Sequence, residues 1–288
     1  ISHKALNRIK RLSAFQNPQF YKTQKMRMST YGIPRIIWSL DETDEYIGIP
    51  RGCKSSLIHL LDEVNLEYIF EDKRNNGKQI DVHFKGTLRE EQQLATDTLL
   101  QHENGIISVP TAFGKTVVGA SLIAERKCNT LILVHLQTLL DQWKKSLDQF
   151  LEINEILLEP EKKRGRKKTW SIIGQIGSGK NTSSSIIDIA LVQRLIHNDE
   201  VDEIVKNYGM VIVDECHHAS SLTFEKVLSS VNSKYVYGLT ATPNRQDGQH
   251  PVVFMQCGAI RHRVNAKEQA NKRDFEHFVI PCFTSFRK

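Results

Sequence analysis

What this sequence lacks narrows its class first. It has only five cysteines, Cys53, Cys128, Cys216, Cys257 and Cys282. They are far apart, odd in number and never in C-x-x-C spacing, which argues against a disulfide framework and against a zinc site. A reducing cytoplasm fits that usage best. No apolar run is long enough to cross a membrane. The chain opens at Ile1-Ser-His-Lys4 with neither an initiator Met nor an apolar signal region, so the expectation is a trimmed piece of a protein that is not exported. Its end, Thr284-Ser-Phe-Arg-Lys288, supplies no closing element. Acid is missing from the first 40 residues, which carry Lys4, Arg8, Lys10, Arg11, Lys22, Lys25, Arg27 and Arg35 and neither Asp nor Glu.

The basic excess is therefore uneven, within a net charge of +6. A second block is Lys162-Lys-Arg-Gly-Arg-Lys-Lys168. Such blocks attract phosphate backbones through counterion release. A solvated loop is the simpler reading of the second block. In residues 1–40 the aromatics Phe15, Phe20, Tyr21, Tyr31 and Trp38 alternate with the basic residues. That mixture suits stacking on bases, and it equally suits a small core with cationic edges. At 288 residues the chain has room for two domains.

The expected organisation changes near residue 87. Before it, a helix is expected over 5–15, broken at Asn17-Pro18. A compact α+β unit is expected over 45–86: a short strand at 46–49, a helix with Leu57, Ile58, Leu60, Leu61 and Val64 on one face, and strands at 66–70 and 80–84 joined as a hairpin through Asn75-Asn-Gly77. Residues 1–86 thus form a basic accessory module with no catalytic constellation. After it, strands alternate with helices, the signature of a mainly parallel sheet with crossover helices. Thr87 is the expected N-cap of a helix through residue 101, with Glu90 at the capping-box position. Strands are expected at 105–109, 130–134, 186–191, 210–213 and 235–239. Helices are expected at about 115–126, 139–150, 201–207 and 224–231. Residues 151–185 read as a polar, basic insertion around a hairpin at 171–174.

Two stretches compete to bind phosphate. The first is Val109-Pro-Thr-Ala-Phe-Gly-Lys-Thr116, between an apolar strand and an apolar helix start. Backbone N–H groups of such a loop wrap phosphates, and the helix N-terminus adds its positive end. Lys115 would reach the β- and γ-phosphates and the Thr116 hydroxyl would ligate Mg²⁺. The pattern G-x-x-x-x-G-K-[ST] is broken at Val109. The second stretch, Gly174-Gln-Ile-Gly-Ser-Gly-Lys180-Asn181, has both glycines and the lysine. It ends in Asn and runs into Thr-Ser-Ser-Ser, a loop composition. Context favours the first.

Strand 210–213 delivers Asp214-Glu215-Cys216-His217-His218. A carboxylate at the carboxyl end of a parallel strand sits beside a phosphate loop in open α/β sheets. Asp214 can hold Mg²⁺ and Glu215 can orient or deprotonate an attacking water. Zinc ligation by three adjacent residues, Cys216, His217 and His218, does not match common spacing. Strand 235–239 delivers Thr240-Ala-Thr-Pro243, whose two hydroxyls could relay between two sites or form an ordinary turn.

Together, these motifs resemble superfamily 2 helicases and translocases. The carriers are Leu88-Arg-Glu-Glu-Gln92, Pro110-Thr-Ala-Phe-Gly-Lys-Thr116, Leu133-Val-His-Leu-Gln137 with Asp141-Gln-Trp143, Asp188-Ile-Ala-Leu-Val-Gln193, Asp214-Glu-Cys-His-His218 and Leu239-Thr-Ala-Thr-Pro243. The likeness covers about residues 87–260, the first of two RecA-like lobes, with 261–288 as a linker. It is nearest the branch shared by restriction-enzyme motors and the TFIIH-type translocase, and similar to bacterial helicases of mobile-element conflict systems. The resemblance implies an ATPase that uses ATP and Mg²⁺ and moves on nucleic acid, DNA in preference to RNA. It assigns adenine reading to Arg89 and Gln92, and phosphate binding to Thr111, Ala112, Phe113, Gly114, Lys115 and Thr116. Catalysis falls to Lys115, Asp214 and Glu215. Nucleic-acid contact falls to His135, Gln137, Gly177 and Gln193, and coupling to Thr240 and Thr242.

Two departures stand out. Ala112-Phe113 replaces the usual Gly and variable residue, which requires the Ala112 backbone to avoid positive φ. No later segment resembles the second lobe, which normally supplies an arginine finger worth about 10³ to 10⁵ in rate. Low activity is therefore expected of residues 1–288 alone. Two rival functions are an ATP-independent binding module that holds nucleic acid or a partner through the basic N-terminus, and the motor part of a restriction system.

Overall fold

The computed structural model describes residues 2–156, 171–177, 179–217, 222–241 and 250–264. Its first part is small and lightly packed: α1 (His3–Arg11), β1 (Ala14–Gln16), α2 (Pro18–Lys25), β2 (Ile36–Trp38), β3 (Asp41–Glu42), β4 (Ile47–Gly48) and α3 (Lys54–Glu63). The Ser2 hydroxyl caps α1 by accepting the Ala5 amide at 3.2 Å. The helix expected through Phe15 stops at Arg11. Ser13 folds back to donate to the Lys10 carbonyl at 3.0 Å, and Ala14–Gln16 pairs antiparallel with Ile36–Trp38 instead. Asn17 caps α2, its side chain accepting from Gln19 and donating to Pro34 O at 2.8 Å.

The expected hairpin between 66–70 and 80–84 does not form. Residues 66–70 belong to no strand, and Ile69 is 98% exposed. The later segment forms β5 (Val82–Phe84), whose partner is β8 (Leu151–Ile153), far along the chain. The reason is burial. Ile80 and Val82 sink into the main core, where Leu99, Ile123 and Leu147 also lie.

From α4 (Glu90–Leu100) onward the chain is doubly wound. It continues through β6 (Asn104–Ser108), α5 (Lys115–Arg126), β7 (Thr130–Val134), α6 (Gln137–Phe150), β8, β9 (Ile173–Gly177), β10 (Lys180–Asn181) and β11 (Ile187–Leu191). Then come β12 (Ile196–His197), β13 (Glu200–Val201), β14 (Met210–Asp214), α7 (Leu222–Ser230), β15 (Tyr235–Thr240), α8 (His250–Cys257) and β16 (Ile260–Arg263). One sheet runs β10-β9-β11-β7-β14-β15-β6-β16. Every neighbouring pair is parallel except the β9–β10 hairpin.

Strand residues alternate between two cores. Ile132 and Val134 face the helices α4, α5 and α6, which contribute Leu99, Val118 and Trp143. Leu131 and Leu133 face α7 and α8, which contribute Phe224, Val227 and Val253. That two-sided burial is why these strands read as unbroken apolar runs.

Several local expectations shift. The N-cap of α4 is Arg89, not Thr87, because Gln92 at N3 accepts the Arg89 amide at 3.0 Å. Residues 201–207 form only a short 3-10 turn, Glu203–Asn207, capped by Asp202. The hairpin in the insertion lies at β9–β10 rather than at 171–174. The strand β16 was not expected from the sequence.

The first part docks on this lobe around a 3-10 turn, Arg51–Cys53, with Ser39 also donating to Glu225 on α7 at 3.0 Å. The Arg51 guanidinium donates to the carbonyls of Leu228 (3.3 Å), Val231 (2.5 Å) and Ser233 (3.2 Å), around the C-terminal end of α7. Leu228 lies in the last turn of α7, where carbonyls lack a full set of intrahelical donors, and Val231 and Ser233 follow just after it. Gly52 lies so close to α8 that a Cβ there would stand 2.1 Å from the Phe254 carbonyl oxygen.

Candidate functional site

Because seven strands run parallel, their carboxyl ends share one edge of the sheet. Register confirms this. Ser108 pairs with Thr240, Asp214 with Leu239, Val213 with Leu133, and Leu191 with Val134. The Lys115 loop leaves β6, Glu215 leaves β14, His135 leaves β7, Gln193 leaves β11, and Gly177 ends β9. The edge is divided. Residues expected at nucleotide follow β14 and β6, with Thr240 at the end of β15 between them. Residues expected at nucleic acid follow β9, β11 and β7. Thr242 lies outside the described residues.

The loop itself is a 3-10 turn, Thr111–Phe113, followed by Gly114 at φ +89° and then α5. Gly114 is the loop's only left-handed residue; Ala112 is not among those with positive φ, so its Cβ costs no backbone strain. Phe113 is fully buried and pins the turn into the core. Val109, where a glycine would be usual, is the last buried residue of the strand run, and its amide donates to Thr240 O at 2.9 Å. Gly114 O accepts from Val117 and Val118. The Lys115 and Thr116 amides, first in α5, have no intrahelical acceptor and present the positive end of the helix.

Arg89 and Gln92 converge on this loop. Both donate to the Phe113 carbonyl, Gln92 at 2.8 Å. The glutamine is buried and spans from the Arg89 amide to the loop. In this state the pair braces the loop from behind.

Lys115 is 7% exposed and pairs with the Glu215 carboxylate. Glu215 has φ +48°, a left-handed conformation costing a non-glycine residue about 1–2 kcal/mol. Its other oxygen lies 3.3 Å from His217 Nδ1, and the same nitrogen lies 3.0 Å from the Thr240 hydroxyl. Burial pushes the Glu215 carboxyl up, but bonds from His217 and Lys115 outweigh it and hold it at about 2. Asp214 behaves oppositely. Burial raises it above the ordinary carboxylate range, against the Trp143 indole N–H, which donates to Oδ2 at 2.8 Å. Its Oδ1 accepts the Glu215 amide at 3.0 Å. Two adjacent carboxylates are thus driven apart, a pattern typical of reaction sites.

Cys216 and His217 turn away from each other. Cys216 is fully buried against β15, where a Cβ on Gly238 would meet its sulfur at 2.9 Å, while His217 faces Glu215 and Thr240. His218 lies outside the described residues. On the other half of the edge, Gln193 donates to the His135 carbonyl at 3.3 Å, tying the ends of β11 and β7 together. Gln137 opens α6 and donates to Asp141 at 3.1 Å. Burial lowers the His135 imidazole, with a further push from His217.

The Gly174 stretch has other work. Asp188 is fully buried and accepts from the Ser183 hydroxyl, the Ser184 and Ser185 amides and the Tyr208 hydroxyl, all within 2.8 Å. A Cβ on Gly174 would lie 1.8 Å from Asp188 Oδ1. The glycine makes room for a caged carboxylate. Sequence reasoning gave no role to Trp143 or to the link from His217 to Thr240. For the first, the signal was its place in the Asp141-Gln-Trp143 motif that carries the resemblance.

The family described as type III restriction enzyme, res subunit, matches residues 85–245, more than half the chain. The chain belongs to that family. Its place in superfamily 2, in the branch that res subunits share with XPB-type translocases, rests on its relatives. It is 30% identical over 198 residues to the DNA 3'-5' translocase XPB2 of Sulfurisphaera tokodaii, covering 69% of this chain and 40% of that one. It is 32% identical over 187 residues to the DNA 3'-5' helicase XPB of Mycobacterium tuberculosis, covering 64% and 32%. The chain therefore spans less than half the length of either relative. The UvsW helicase from bacteriophage T4 superposes with a TM-score of 0.63 at 16% identity, over 91% of this chain and 94% of that one. At that identity the likeness is one of fold. The res-subunit lobe here is the RecA-like α/β sheet expected from the motifs. Among the described residues, no helix is long and apolar enough to cross a membrane.

Proposed function

We propose that this chain is the accessory module and first motor lobe of an ATP-dependent DNA translocase or helicase. The observation that carries the reading is the meeting of Lys115, Glu215, His217 and Thr240 at one sheet edge, with Asp214 beside them. The site fits a Mg²⁺-nucleotide. A buried ammonium at a helix N-terminus is already matched to one anionic group, and a buried carboxylate has its two oxygens fixed by single N–H donors. Mg²⁺, when bound with ATP, supplies neutralisation of phosphate charge. The rest falls to the chain. Lys115 exchanges Glu215 for phosphate. Asp214 and Thr116 would hold the metal. Glu215, released from Lys115, orients and deprotonates the attacking water. His217 keeps its hold on Glu215 and carries the change to Thr240, and Thr242 continues that path.

Arg89 and Gln92 read the adenine while bracing the loop, and residues 111–116 take the phosphates. His135, Gln137, Gly177 and Gln193 line the nucleic-acid track, with a second RecA-like lobe as the other half. DNA is preferred because the relatives XPB2 and XPB are named for action on DNA. Residues 1–86 form the accessory module, 87–260 the lobe, and 261–288 lead toward its partner lobe. The scattered cysteines make the reducing cytoplasm its compartment.

The test is ATP hydrolysis by the intact protein with and without duplex DNA. DNA-stimulated hydrolysis, lost in Lys115→Ala, is expected. A Lys115→Ala protein hydrolysing at the unmutated rate would overturn the site. Residues 1–288 alone should show little turnover; robust DNA-stimulated hydrolysis by them would contradict the need for a second lobe.

A further inference from the structure

We propose that Trp143 is the positioning residue for the metal-ligating carboxylate of Asp214. The inference rests on the proposed function, in which Asp214 holds Mg²⁺. Trp143 is fully buried, and its indole N–H donates to Asp214 Oδ2 at 2.8 Å. The other oxygen, Oδ1, takes the Glu215 amide at 3.0 Å. Each oxygen thus has one fixed donor, which sets the rotation of the carboxylate and leaves lone pairs for a cation.

Packing alone does not require this residue. A phenylalanine would fill a core position with less polar burden, since a buried indole N–H needs an acceptor. Here the acceptor is the one carboxylate that ends β14. The protein also makes room for the ring. Gly119 on α5, one turn past Lys115, has no side chain where a Cβ would stand 2.5 Å from the indole. The ring is thereby wedged between the helix after the phosphate loop and the strand that carries Asp214. Carboxylates that ligate metals are commonly held by such outer partners, and losing one typically costs 10–100-fold in metal affinity.

The test is binding, not turnover. The intact protein and Trp143→Phe are titrated with a non-hydrolysable ATP analogue, with and without Mg²⁺. Metal-free affinity should be unchanged within about twofold, and half-saturating Mg²⁺ should rise about tenfold or more. An unchanged Mg²⁺ requirement would overturn the proposal. Should the phenylalanine variant fail to fold, the benzothiophene analogue of tryptophan keeps the shape and lacks the N–H. It is incorporated in a background where every other tryptophan of the intact protein, Trp38 and Trp170 among them, is replaced by Phe, and is expected to give the same rise; no rise overturns the proposal. Asp214→Asn separates this idea from its foundation. If Asp214→Asn keeps the normal Mg²⁺ requirement, the metal-ligand reading fails. If Asp214→Asn loses it while both Trp143 replacements keep it, only the role of Trp143 fails.

Discussion

Two stretches of the chain compete on spacing as phosphate loops, and they do different things. Gly114-Lys115 ends a loop at the carboxyl edge of the sheet and starts a helix. Gly179-Lys180 sits in the turn of the β9–β10 hairpin and leads into an antiparallel strand. The second stretch matches the phosphate-loop spacing better, yet it starts no helix. One of its glycines, Gly174, serves packing by yielding space to Asp188. The lesson is that spacing specifies a phosphate loop only together with a strand before it and a helix after it.

The largest expected effect separates the two lysines. In the intact protein, Lys115→Ala should lower ATP turnover on the order of 10²–10³-fold, the scale of losing one preorganised charge donor. Lys180→Ala should change it less than about twofold. Steady-state hydrolysis reads both, and equal losses would erase the contrast.

Stability inverts the order. Gly174→Ala places a methyl 1.8 Å from Asp188 Oδ1. It should cost about 3 kcal/mol in chemical denaturation, the upper range for overpacking. Nucleotide affinity of the folded fraction should not move.

A third contrast is electrostatic. Glu215 sits at about 2 in the folded protein, below its ordinary 4.5. A depressed carboxyl contributes stability above its unfolded value and loses it as pH falls from there to the folded one. Lys115→Ala removes a lowering partner, so the folded value rises and that contribution shrinks. The urea midpoint of the variant should therefore fall less than that of the unmutated protein between about pH 5 and about pH 3.

The smallest effect is at Gly179, with φ +70° and nothing within 4 Å of its would-be Cβ. Gly179→Ala should cost only about 1 kcal/mol, the strain of a left-handed alanine. A thermal melt measures it. A loss as large as that of Gly174→Ala would mean the turn has a function beyond geometry.

The parallel sheet was legible because its strands are buried on both faces and read as plain apolar runs, such as Thr130–Val134. The site was legible because its residues come within a few positions of strand ends. What stayed hidden depends on distant partners. Val82–Phe84 reads as a hairpin strand until Leu151–Ile153 appears beside it. Trp143 is a motif residue without a role until Asp214 is seen across the helix–sheet interface. The N-cap of α4 shifted by two residues because Gln92 chose Arg89, a competition between side chains that no period reveals.

Arg51 has a consequence for how the protein is made. Its three carbonyl partners lie 177 to 182 residues further along the chain. During synthesis the first part emerges long before the end of α7 exists. Its guanidinium, half-buried when docked, must wait in water until the end of α7 has been translated. This clasp therefore cannot close before the end of α7 is made, although β15 and β16 are still to come, and a ribosome stalled before residue 228 would release a chain with the clasp still open.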